Sequence, residues 1–253
     1  MMILILLIIF ILLAVFTGGD RTAKSIVTLA INALILFVSI GVMYLKVNPM
    51  LVATIACILV TLTTIFFQNE YNQKSKAAFI SALIVIAIML TLILFFVDKG
   101  HIQGMPVVGQ NHIRESNGYE KAIGINMVLV EVAVILMTLV GAVIDMAIAV
   151  TSGIYEVVSL NPHLNRKELF GSGMKIGRDI LSSTVNTLFF IFVGEYLLMF
   201  IVFMVYYSFT SMINSKEFVQ GTITILISAA GCVLTIPISA FIASKKFKKK
   251  EVD

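Results

Sequence analysis

Apolar residues in this chain run in long blocks instead of alternating or keeping to one face. From "MMILILLIIF" at residue 1 to "AFIAS" at residue 244, blocks of about 20 apolar residues are separated by short polar breaks, each long enough as a helix for a hydrocarbon core about 30 Å thick. The pattern predicts seven spans, at approximately residues 2–18, 25–44, 49–67, 77–97, 124–154, 181–207 and 219–244. The fold class is then all-α, a polytopic helical membrane protein. No basic residue precedes the first block, so it reads as a retained helix and not as a cleaved signal. Residues 1–24 form an N-terminal helix with an inner loop, residues 25–244 a six-helix membrane core, and residues 245–253 a basic tail.

Composition fits that pattern and removes the soluble classes: of 253 residues, 59% are hydrophobic and 13% charged. Charge adds an orientation. All 18 Lys and Arg residues lie between or beyond the predicted spans. With the terminal "KKFKKK" in the cytoplasm, thirteen of them fall on inner segments and five on outer ones, which puts the N-terminus outside. The tail reads as a stop-transfer anchor against the membrane lipid, ahead of an anionic-lipid contact, and no nucleic-acid partner is expected. Cys57 and Cys232 fall inside spans and read as core residues; His101, His112 and His163 are scattered over loops. No disulfide, metal site or cofactor is expected. Trp is absent, so the interfacial belt falls to Tyr44, Tyr155, Tyr206 and Tyr207.

Of 14 acidic residues, only Glu131, Asp145 and Glu195 fall well within predicted spans, with Glu156 at an inner boundary. Intramembrane acids are costly and mark function by default, which selects the fifth and sixth spans. On the fifth, Glu131, Thr138, Asp145 and Ser152 recur every seven positions, a spacing that drifts only about 20° per step on a helix. Glu156 falls near the same line. This polar stripe must face protein or water, since lipid offers no hydrogen-bond partner. No Lys or Arg lies within a span to pair with Asp145, so its charge depends on what approaches it, the property of a proton carrier; a neutral, hydrogen-bonded structural acid is the alternative. Glu131 and Glu156, near the mouths, read equally well as solvated acids. Glu195, at a similar depth to Asp145, could share a proton with it or face another chain. Two further polar stripes, Ser25, Thr28, Asn32 and Ser39 on the second span and Ser228, Gly231, Thr235 and Ser239 on the seventh, read first as packing surfaces.

Between the fifth and sixth spans, Asn161 and Pro162 end one helix, and Asn165 with Glu168 resembles a capping box opening another. Leu164, Leu169, Phe170 and Met174 beside Arg166 and Lys167 predict a short interfacial helix near residues 164–175. Gly171, Gly173 and Gly177 would then turn the chain into the sixth span. Arg178 and Asp179 read as a local ion pair, or Arg178 as a guard of the inner mouth.

These residues carry a resemblance. The run "GAVIDMAIAVTSGIYEV", then "NP", "KELFGSGMKIGRD", "STVNTL" and "FVG", is similar to the YibE/F family of bacterial membrane proteins, in particular its shorter YibF-type members. Where many relatives show two adjacent acids, this chain has Ile144 and then Asp145, so only the second is carried over. The resemblance implies a bacterial cell membrane and a YibE-like partner subunit, the natural source of a cation facing Asp145. More distantly, a glycine, a midspan acid, a Glu near the helix end, an interfacial helix and the hydroxyl-rich start of the next span with Asn186 resemble the RND, MMPL or SecD/SecF transmembrane unit. In that unit the acid lies on the fourth of six helices and relays protons, as the acid-bearing helix does among spans two to seven here. The implied function is one half of a proton-motive-force-driven transporter or export complex of unknown substrate, with no enzymatic activity. A non-transporting scaffold, receptor or sensor is the alternative, and an intramembrane aspartyl protease would need a second acid beside Asp145.

Overall fold

Helices account for nearly all of the described chain, which in this computed structural model comprises residues 2–68, 71–100, 102, 125–206 and 208–248. They are α1 (Met2–Tyr44), α2 (Pro49–Leu62) continuing into a π-helical turn (Thr63–Gln68), α3 (Gln73–Gly100), α4 (Met127–Leu160), α5 (Arg166–Tyr206), the short α6 (Phe209–Ile213) and α7 (Lys216–Lys248). Most of the predicted outer loop, with His101 and His112, and the last five tail residues lie outside the described chain.

Among the described residues, six stretches are long and apolar enough to cross a membrane: Thr22–Tyr44, Pro49–Gln68, Gln73–Gly100, Met127–Leu160, Arg166–Tyr206 and Phe218–Phe247. The predicted first span is instead the shorter apolar helix Leu4–Asp20, at the short limit for a crossing. It breaks from the rest of α1 at Gly19, whose φ of 57° and ψ of −146° suit glycine alone. Beyond the break α1 packs on α2 and the π turn, and it is held there by amides and hydroxyls. Thr63 Oγ1 donates to Asn32 Oδ1 at 2.6 Å, Asn32 Nδ2 to Thr64 Oγ1 at 3.0 Å, and Gln68 Nε2 to Ser25 Oγ at 2.8 Å. The polar stripe of the second span is thus interhelical glue, with Thr28 and Ser39 satisfied by carbonyls of their own helix.

The bundle is built around α4, which touches α2, α3, α5 and α7. Asn126 caps its start by accepting from the amides of Val128 and Leu129, and it ends at Asn161, as the Asn161–Pro162 pair predicts. The capping box is present too: Asn165 N donates to Glu168 Oε2 at 2.7 Å and Glu168 N to Asn165 Oδ1 at 3.0 Å.

Beyond the capping box the chain departs from expectation. The interfacial segment and the sixth span are one unbroken helix of 41 residues, so no turn occurs at Gly171, Gly173 or Gly177. Two of these glycines serve close packing. A Cβ at Gly173 would lie 2.9 Å from Ala240 Cβ and nearer still to Ile154, and one at Gly177 would lie within 2.9 Å of Ile236. Gly153 on α4 receives Ile176 of α5 in the same way. Small residues let these backbones approach where apolar burial alone cannot drive helices together in lipid. The seventh-span stripe has the same use: Ser228, Thr235 and Ser239 are fully buried, and Gly231 lies against Leu139 and Val143. Cys57 and Cys232 are buried core residues.

Candidate functional site

The acid-bearing face of α4 is set by its neighbours in sequence. Ile144 and Met146, each 1% exposed, anchor opposite flanks of the helix in the core, and this rotation turns Asp145 to the surface. Val134, Thr138, Gly141 and Asp145 form one exposed face, with Ser152 half-buried and Glu156 exposed further along. Nothing lies within 4 Å of the space a Cβ would fill at Gly141.

This face runs between two flanking helices. On one side α3 closes the lower part, where Lys74, Ser75 and Ala78 with Ile148, Thr151 and Ser152 line a small cleft. On the other side stands α5, antiparallel to α4, in register through Gly153 with Ile176 and Ile154 with Gly173. Equal helical rise along both places residues 182–184 at about the level of Asp145, with Asn186 within about one turn. Ser182, Ser183 and Asn186 are exposed there. The "STVNTL" segment therefore lies at about the level of Asp145 on the neighbouring helix.

Glu131 is not on that surface. The expected continuous stripe splits, because two seven-residue steps of about 20° each rotate Glu131 away from the Asp145 direction and toward α7. It is fully buried, and Gln220 Nε2 of α7 donates to its Oε2 at 2.5 Å, while Oε1 has no hydrogen-bond partner. The reading of Glu131 as a solvated mouth acid fails for this reason, whereas Glu156 is exposed. Gln220 was invisible as a partner in the sequence, since it is 89 residues away and its register depends on α4 and α7 running parallel. Removing the donor alone, as Gln220→Leu, is expected to destabilise by about 2 kcal/mol, because it leaves a buried carboxyl with no partner. The double variant Glu131→Leu/Gln220→Leu should recover most of that loss, as read by unfolding of the detergent-solubilised protein.

Glu195 is also displaced from its expected depth. Gly221, next to Gln220, is packed by Phe192 and Tyr196, 2.7 and 2.9 Å from where its Cβ would stand. Glu195 therefore lies at the level of Glu131, about 20 Å along the bundle from Asp145 by the rise of 14 helical residues. It is exposed, and no shared proton joins it to Asp145. The expected Arg178–Asp179 pair is absent as well: both are exposed, and consecutive helical side chains point about 100° apart.

Six long apolar helices among the described residues, the central one carrying a midspan carboxylate, define a polytopic helical membrane protein. The chain belongs to the YibE/F family, whose model, described as YibE/F-like protein, matches residues 6–249. No curated protein and no solved structure matches the chain.

Proposed function

We propose that this chain is one half of a proton-driven membrane transporter or export complex, in which Asp145 relays the proton and a second membrane subunit covers the face that carries it. The observation that carries the reading is the position of Asp145 on the lateral surface, midway along the most enclosed helix. Lipid cannot solvate a carboxylate, so a group left there implies a protein or water path beside it. Thr138 and Ser152 supply hydrogen-bonding groups along that face, Ser183 and Asn186 stand at about the level of Asp145 on α5, and Glu156 lies toward the end of the face. The buried Glu131–Gln220 pair is a second station, about 20 Å nearer the opposite end by helical rise.

A second copy of this chain is the poorer occupant, because a two-fold contact through α4 would set Asp145 against Asp145. A different subunit bringing a cation suits the face better, and the YibE-like partner implied by the family resemblance is that subunit. The six long helices, with the acid on the fourth, support the RND-like comparison, and the basic tail favours a C-terminus in the cytoplasm of a bacterial cell. The reading includes no aspartyl-protease chemistry, which needs two carboxylates in one place.

Carbodiimide labelling of Asp145 in native membrane vesicles, read by mass spectrometry across pH and with or without a proton gradient, tests the proposal. Labelling that titrates and responds to the gradient is expected. Labelling indifferent to both would mean a permanently paired carboxylate and would favour a scaffold or receptor.

A further inference from the structure

At the end of the bundle where α7 finishes, α3 begins, and the two antiparallel helices bring basic side chains together. Lys76 and Lys246 are each half-buried, and their like charges act on one another. Their sequence neighbours Ala77 and Phe247 belong to one core cluster, and α3 packs against α7. Lys76 Nζ is steered by the ring of Tyr71, 4.2 Å from its centroid. Phe247 is held in turn by an edge-on contact with Tyr155 at 5.5 Å. Lys74 and Lys245 add to the positive charge; the exposed Glu156, next to Tyr155, is the acid on the adjoining helix. Among the described residues, neither Lys76 nor Lys246 has an acidic partner.

A ladder of exposed isoleucines climbs from Lys76 at intervals of one turn: Ile80, Ile84 and Ile88, each between 41% and 44% exposed. Twelve residues of α3 rise about 18 Å, close to the depth of one lipid leaflet. The surface therefore has two parts, an unneutralised cation pair at headgroup depth and an apolar track leading into the hydrocarbon.

We propose that Lys76, Lys246 and this isoleucine ladder form a binding site for an anionic phospholipid, the phosphate bridging the two ammonium groups and an acyl chain lying along α3. An anion placed between two like charges relieves their repulsion, and basic sites between membrane helices hold acidic headgroups on the same principle. A free phosphate would engage the cations alone and leave the ladder without a role, which is why the lipid is the better occupant.

Native mass spectrometry of the full chain, in detergent with phosphatidylglycerol or phosphatidylcholine of identical acyl chains, tests the site. Phosphatidylglycerol adducts are expected to exceed phosphatidylcholine adducts roughly tenfold, in keeping with two basic side chains at the headgroup. The preference should vanish in Lys76→Gln/Lys246→Gln, persist in Lys76→Arg/Lys246→Arg, and persist in the control Lys46→Gln/Lys216→Gln. Equal retention of the two lipids by the wild-type chain would overturn the proposal whether or not the glutamine variant folds. An undiminished preference in a folded glutamine variant would overturn it too. Displacement of the lipid by millimolar inorganic phosphate would replace it with a free-anion site.

Discussion

Asp145→Asn is expected to insert and fold as the parent does while losing proton-coupled activity by about two orders of magnitude or more, the scale typical of removing a positioned proton-transfer group. The substitution keeps shape and hydrogen-bonding capacity and removes only the ability to take up and release a proton. It touches little of the core, because Asp145 points outward while Ile144 and Met146 hold the helix in place. Stability should therefore stay within about 0.5 kcal/mol of the parent, as for surface positions generally. Collapse of an imposed proton gradient across native membrane vesicles reads the activity, and recovery of folded protein from the membrane reads insertion. A variant that fails to insert would assign the acid a structural role. A variant that inserts and keeps full activity would remove Asp145 from the pathway.

The second large effect is expected at Gly173. Leucine there must displace Ile154 and Ala240 at once, and the Ala240 Cβ has no flexible end that can swing aside. Because α4, α5 and α7 all meet at this point, the helices must separate, at a cost of about 3 kcal/mol or more, the upper range for overpacking a close-packed core. Gly171, two residues earlier on the same helix, faces open space, and Gly171→Leu should change stability by less than about 0.5 kcal/mol. Thermal unfolding of both variants in one detergent gives the comparison. Similar losses for the two would mean that the α4–α5–α7 contact is looser than this packing requires.

That pair of glycines also marks where sequence reading stops. In "FGSGMKIG" all three glycines look alike, and beside the neighbouring basic residues they suggest a turn into the membrane. The helix runs straight through them, and their different environments come from α4 and α7, which lie far away in sequence. The capping box is the opposite case. Asn165 and Glu168 satisfy each other's backbone within one turn, so four residues suffice to predict it.

The same division separates the acids. A seven-residue spacing places Glu131, Thr138, Asp145 and Ser152 near one line, but it cannot tell which direction that line faces or how much a drift of about 40° matters. Packing decides that: Asp145 is left exposed on the surface of the bundle, whereas Glu131 is turned onto Gln220 of α7. Glu195 illustrates depth in the same way. Counting residues into its own span puts it near Asp145, while the contact of Phe192 and Tyr196 with Gly221 puts it beside Glu131.

Properties that depend on composition and local geometry were thus legible along the chain. These are the membrane as solvent, the long helices, their asparagine caps, the identity of the midspan acids and the family resemblance. Each arises from residues within a span or a turn of one another, because burial in lipid obliges every apolar block to satisfy its backbone as a helix. The tertiary structure alone decided which glycines admit a neighbouring helix, which acid is enclosed and which is left on the surface. It also decided that the like charges of Lys76 and Lys246 act on one another. Those outcomes depend on the rotation and register of helices relative to one another, set by packing between segments up to some 170 residues apart, as for Lys76 and Lys246.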